Sequence, residues 1–321
     1  MFSGAVEQGL IYAIMSLGVY ISYKILDFAD MTVDGSFPLG GAISATLLIK
    51  GYNPITALLV AMIGGAVAGF FTGFIHVKLK VSNLLAGIIV MTGLYSVNLR
   101  IMGLKDLSYA SIKSAVTLAK SGETSVLKEF FKQWIPKSNA SLFSTKHLLN
   151  GNVSTIIVIL ILIVLVKIIM DYLLKTKFGF ALKALGDNES LIIGLGLNEE
   201  NLKIKGLMIA NSLVALSGGV YVQSQGFSDV GMGTGTIVIA LASIIIGDAL
   251  FGKLNFIKGT TVVIIGTIIY RIIIAFALKI GLNPSDLKLV TSALVVSIIV
   301  AKINKDKISH KIKKRKISQE I

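Results

Sequence analysis

The chain contains no cysteine, four prolines, one tryptophan and three histidines among its 321 residues. Without thiols there is no disulfide, thiolate metal centre, iron–sulfur cluster or cysteine nucleophile, although the compartment stays open. The histidines (His76, His147 and His310) stand in three different segments, which leaves no imidazole cluster for a metal. Charge is scarce as well: charged residues make up 15% of the chain against 54% hydrophobic ones, and the mean hydropathy is +0.81. So little polar surface could not coat a soluble globule of this size. In its place, apolar runs of membrane-spanning length recur along the whole chain, which defines an all-α, polytopic membrane protein. Soluble enzymes, secreted disulfide scaffolds and disordered tails are excluded.

The net charge of +14 is unevenly placed. From Lys302 onward, eight basic residues face only Asp306 and Glu320. Because this run follows an apolar span directly, it reads as a cytoplasmic anchor beside anionic membrane lipid, not as a nucleic-acid surface. No basic residue precedes Lys24, so the first apolar run is expected to be a retained span, not a signal peptide.

Hydropathy gives about nine spans, near 4–23, 37–49, 54–75, 82–102, 152–172, 204–222, 234–250, 256–278 and 287–301. With the basic tail in the cytoplasm, an odd number of spans places the N-terminus outside. The chain then divides into an N-terminal membrane half (1–103), an extracytoplasmic segment (104–150), a C-terminal membrane half (151–303) and a basic cytoplasmic tail (304–321). The second half contains a cytoplasmic segment, 173–205. Residues 104–150 sit awkwardly outside, since they carry seven lysines. Within them, the helical period of Val126–Ile135 puts Leu127, Phe130, Phe131 and Trp134 on one face, as in an interfacial helix stopped by Pro136.

Gly247–Leu254 matches G-x-x-x-x-G-K but ends in Leu254, which has no hydroxyl for a magnesium ion, and it follows a membrane helix instead of a strand. No nucleotide site is expected there, and no cofactor elsewhere. Gly65, Gly69 and Gly73 form a small-residue stripe suited to close helix packing, within the subunit or between subunits. Two breaker-rich segments interrupt apolar sequence, Asp34–Gly41 and Gln225–Thr236, the first expected towards the inner side and the second towards the outer. Paired breaks of this kind point to a transport pathway and are compatible with an inverted repeat. The pathway candidates are Asp34, Ser36, Phe37, Asn98, Asn211, Gln225, Phe227, Gly231, Gly233 and Arg271. Arg271 lies deep in an apolar run, where a guanidinium must face protein or a polar cavity. No carboxylate pair, histidine cluster or nucleophile–base set is visible, so the chain reads as a transport component and not an enzyme.

The segment 173–205 is richer than a solvated loop requires. Phe178, Phe180, Leu182 and Leu185 punctuate it between glycines and balanced charges. Here the sequence resembles the permease subunits of ABC importers of the branched-chain amino acid/ribose type, most of all the tryptophan/tyrosine, amino-acid-like branch. The residues that carry the resemblance are Phe178-Gly179, Ala181–Asn188 and Leu195–Asn198, supported by Ala210–Gly219, Gln225–Gly233 and Thr32–Phe37. It covers nearly the whole chain apart from 104–150. The resemblance implies a permease homodimer in a bacterial cell membrane. It also implies a cytoplasmic ATP-binding subunit that docks on residues 178–188, and an extracytoplasmic binding protein that delivers a small polar solute such as an amino acid. The coupling residues it assigns are Phe178, Gly179, Leu182, Lys183, Ala184, Gly186, Asp187 and Asn188. The alternative is an ion-coupled secondary transporter, which mid-span acids would favour.

Overall fold

In the computed structural model, residues 2–103, 132–134, 151–252, 257–280 and scattered positions between 286 and 300 are described. The elements are α1 (Phe2–Val19), running on as a π-helical turn (Tyr20–Ile25), α2 (Val33–Ile49), α3 (Pro54–Lys78) and α4 (Asn83–Ile101). A strand β1 (Lys132–Trp134) precedes α5 (Gly151–Leu173), α6 (Lys177–Asp187), α7 (Glu189–Gly194) and α8 (Glu199–Gln225). Strand β2 (Phe227–Asp229) and a 3₁₀ turn (Val230–Gly233) lead into α9 (Thr236–Phe251) and α10 (Gly259–Lys279). Seven helices among the described residues are long and apolar enough to cross a membrane, and α2 is a shorter apolar helix. The protein is therefore multi-pass and all-α, with eight of the nine expected spans; residues 287–301 lie largely outside the described ones.

Local chemistry sets the helix ends. Asn53 caps α3 through a bond from the Ile55 amide, with Pro54 at its first position, where a missing N–H costs nothing. Asn198 caps α8, whose first turn carries Glu199 and Glu200 and which ends on left-handed Gly226.

The buried centre is α8, flanked by α1, α2 and α3. The glycine stripe of α3 lies against it: a Cβ at Gly65, Gly69 or Gly73 would collide with Asn211, Leu207 or Ile204 respectively. That stripe packs within the subunit. Two polar side chains buried along α8 reach across to neighbouring elements. Ser217 donates to the Ile11 carbonyl at 2.7 Å, and Gln223 donates to Ser44 and to the Pro54 carbonyl, both at 3.1 Å.

Two expectations are corrected. Asp34–Gly41 does not break its helix: α2 runs through it, with Pro38 inside. Its glycines serve close approach instead, since a Cβ on Gly40 would fall on the Ala215 backbone of α8. Lys132–Trp134, the described part of the expected interfacial helix, is a strand paired antiparallel with Phe227–Asp229. The extended backbone of Phe227–Asp229 after Gly226 offers it a strand edge. The rest of 104–150 lies outside the described residues.

Candidate functional site

The site forms where chain segments stop part-way through the membrane. Asp30 is buried; its carboxylate accepts from the Thr32 amide at 2.9 Å and from Asn211 Nδ2 at 2.7 Å. Asn211 is 12 residues into α8, about 18 Å along the helix at 1.5 Å per residue. So the loop before α2 re-enters deeply, and α2 starts at mid-depth. At 17 residues, α2 reaches about 25 Å, short of the roughly 30 Å hydrocarbon core.

Helix α9 also starts at this level. The Asp34 carboxylate accepts from the Gly235 amide (2.8 Å), the Ile237 amide (2.8 Å) and the Thr236 hydroxyl (2.9 Å). A negative charge thus satisfies the free N–H groups at the positive end of α9. Gly235 bends the chain there with φ +83°, a left-handed conformation that favours glycine. The two breaker-rich segments, expected on opposite sides, therefore meet at one depth. Gly233 sits directly on the Asp34 carbonyl, with no room for a Cβ.

Two cavities flank this junction and share Thr234. The first, about 310 Å³, lies between α2, α4 and the 3₁₀ turn; Asp34 and Asn98 line it. Asn98 is fully buried; its Nδ2 donates to the Gly35 carbonyl at 3.2 Å, and its Oδ1 has no hydrogen-bond partner. The second, about 290 Å³, is lined by Arg271, Tyr270 and Thr291. Arg271 lies 3.8 Å over the Tyr12 ring and donates to Gln8 at 3.3 Å, while its Nε is buried without a partner. One cavity is thus anionic and the other cationic.

Of the sequence candidates, Asp34, Asn98 and Gly231 line the first cavity and Arg271 the second. Ser36 and Asn211 are instead fully buried and bonded to each other at 2.7 Å. Phe37 is buried in a stack on Tyr12. Gln225 and Phe227 lie beyond the junction, at the end of α8 and in β2.

On the far side of the molecule, Thr176 caps α6 by accepting from the Gly179 amide, and Asn188 caps α7 by accepting from the Leu191 amide. Of the coupling candidates, Gly179, Leu182 and Gly186 face the membrane helices. Gly179 packs on the end of α5 and Gly186 on the Ile25 carbonyl, while Leu182 is 1% exposed. Phe178 and Ala184 are partly buried against the same core. Lys183, Asp187 and Asn188 are exposed. Phe180 joins them at 61% exposure, followed by exposed Leu191, Ile193, Leu195 and Leu197. Lys203 ties α8 to α7 through Glu189 at 2.7 Å, and that bond holds the Glu189 carboxyl below its usual range.

A chain that spans a membrane, starts two helices at mid-depth and projects a capped helical ledge has the parts of a transport component. Residues 1–300 match the family described as branched-chain amino acid transport system, permease component. The chain belongs to this permease family. A tyrosine transport system permease protein of Clostridioides difficile is 46% identical over 91% of this chain and 88% of its own. An uncharacterised protein of Rickettsia prowazekii is 34% identical over 89% of this chain and 92% of its own. The ribose import permease RbsC of Escherichia coli is 26% identical over 93% and 84%. No solved structure matches. The permease is a membrane transport component.

Sequence reasoning left Asp30 unremarked and noted Phe180 without counting it among the coupling residues. Asp30 read as part of a loop; the signal was the second span, too short to cross alone. For Phe180, the period of α6 separates it from Leu182 and Leu185, both of which face inward.

Proposed function

We propose that this permease is the translocation subunit of an ATP-driven amino-acid importer in a bacterial cell membrane, with tyrosine-like substrates the first to test. It works as a homodimer, receives its substrate from an extracytoplasmic binding protein on the side of the β ladder, and docks a cytoplasmic ATP-binding subunit on α6–α7. The observation that carries the reading is the apolar row turned away from the membrane core: Phe180, Leu191, Ile193, Leu195 and Leu197 are exposed beside Lys183 and Asp187. Exposed apolar side chains on a short polar-capped ledge are unfavourable unless a partner covers them. Leu182, Leu185 and Gly186 key the ledge into the membrane helices, so a push on Phe180 moves a rigid body. The 46% identity to the tyrosine permease supports the substrate class.

The ion-coupled reading asks for mid-membrane acids, and Asp30 and Asp34 are such acids. Asp30 is buried and engaged by fixed donors of the chain's own fold, which suits a structural carboxylate better than a group that binds and releases a driving ion, and Asp34 already answers donors at the start of α9.

The absence of native cysteine makes the test direct. Cysteine placed at Phe180 should cross-link to a co-expressed ATP-binding subunit, and cysteine at Tyr52, at the opposite end of the span, should not. Failure of Phe180→Cys to cross-link, with the two proteins purifying apart, would remove the docking surface.

A further inference from the structure

The anionic cavity beside the α9 break has a recognition chemistry of its own. Among the described residues, its lining contains one carboxylate, Asp34, and no lysine or arginine. Asp34 Oδ2 accepts a single bond, from the Gly235 amide, which leaves lone-pair capacity on that oxygen. Asn98 Oδ1 is a second acceptor, buried and unpartnered, on a side chain 0% exposed whose amide nitrogen is already committed to the Gly35 carbonyl. A buried acceptor left unmade is costly, and a native structure retains one where a ligand or other donor supplies the bond. Met91, Tyr95 and Val230 supply apolar and aromatic wall, alongside the hydroxyls of Thr92 and Thr234. The volume of about 310 Å³ is at the lower end for small-molecule sites.

We infer that this cavity is a transit site for a primary ammonium group carried on an apolar or aromatic body. The ammonium donates to Asn98 Oδ1 and Asp34 Oδ2 while Met91, Tyr95 and Val230 contact the body. The inference rests on the importer reading, and it adds an internal subsite that selects for the amine. An anionic ligand would be repelled by the Asp34 carboxylate, and among the described lining residues it would find hydroxyls but no cationic group to answer it.

The test uses the full-length permease in lipid nanodiscs. Thr92 lines the cavity, is exposed, and bonds its hydroxyl to its own helix at Ile88, so Thr92→Cys reports occupancy without removing an acceptor. Tyramine and L-tyrosine should slow thiol labelling at this position, and 3-(4-hydroxyphenyl)propionate, which lacks the amine, should not. In the Thr92→Cys, Asn98→Leu double variant, protection by tyramine should weaken by about tenfold. Equal protection by the acid, or none by tyramine, overturns the site. That amine–acid contrast is read in the single variant, so it stands whether or not Asn98→Leu folds. Labelled tyrosine uptake by the assembled transporter is measured separately. Uptake without amine protection refutes this subsite alone, whereas protection without uptake supports it and refutes the tyrosine-import reading.

Discussion

Replacing Asp34 tests the junction that organises the membrane interior. Its carboxylate satisfies three donors at the start of α9, two of them backbone amides with no other partner in a helix that begins there. Asp34→Ala leaves the Gly235 and Ile237 amides unanswered in a part-buried setting, at about 1–3 kcal/mol each. The total, about 2–6 kcal/mol, exceeds the 0.5–2 kcal/mol of an ordinary helix cap because the donors converge on one charge below the membrane surface. In Asp34→Asn, a carbonyl at the Oδ1 position keeps the bonds from Thr236 and Ile237. Its NH₂ then meets the Gly235 amide donor to donor, so about one charge-assisted bond is lost, roughly 1.5–3 kcal/mol. Thermal unfolding of the purified chain in one detergent should therefore rank wild type above Asn and Asn above Ala. Gly266 of α10, packed on α9 at the Ser243 carbonyl, offers a control lesion against the same helix that leaves the junction intact. An Asp34→Ala chain within about 0.5 kcal/mol of wild type would refute the argument that this carboxylate holds α9 at mid-depth.

Three further outcomes follow from the same geometry. Gly69→Val drives a branched side chain into the Leu207 backbone and should abolish recovery of folded protein, while Gly93→Ala, with open space at its Cβ, should be recovered normally. Phe180→Glu puts a charge on the exposed ledge; it should leave the melting temperature within a degree or two and cut ATP-dependent uptake at least tenfold, and loss of folded protein would contradict the surface placement. Glu189 is lowered by Lys203, so its contribution is present above the ordinary carboxylate value near 4.3 and disappears as pH falls through the lowered one. With Glu189 about half exposed the tie is worth less than about 1 kcal/mol, and the small melting difference between wild type and Lys203→Met should close as pH falls through the lowered carboxyl value.

The spans were legible because apolar composition over twenty residues has few other meanings, and eight were found close to the expected boundaries. The glycine stripe of α3 was legible as packing, but only the fold shows that its partner is α8. Asp34 was picked out for the wrong reason: it stands next to Gly35 and Pro38, which read as helix breakers yet lie inside α2. Pro38 forgoes the bond that an N–H there would make to the Asp34 carbonyl, and the glycines are spent on contact with α8. The meeting of Asp34 with Gly235 spans 201 positions, and no local pattern encodes so distant a bond. Ser36 and Asn211 looked like pathway groups because polar residues in apolar runs draw notice, and they turned out to satisfy each other. Within α6, Gly179 and Leu182, three residues apart, both turn inward, which leaves Phe180, and not Leu182, on the outer face.

The central claim is that this permease moves its substrate by coupling to an ATP-binding partner through α6–α7, and uptake in proteoliposomes tests it most directly. The permease is reconstituted with its ATP-binding subunit and binding protein, and labelled tyrosine accumulation is followed with ATP inside and ion gradients clamped to zero, then with gradients imposed and no ATP. Accumulation should require ATP, proceed without any gradient and fail with Phe180→Glu. Uptake driven by a sodium or proton gradient in the absence of ATP, unaffected by Phe180→Glu, would contradict the account.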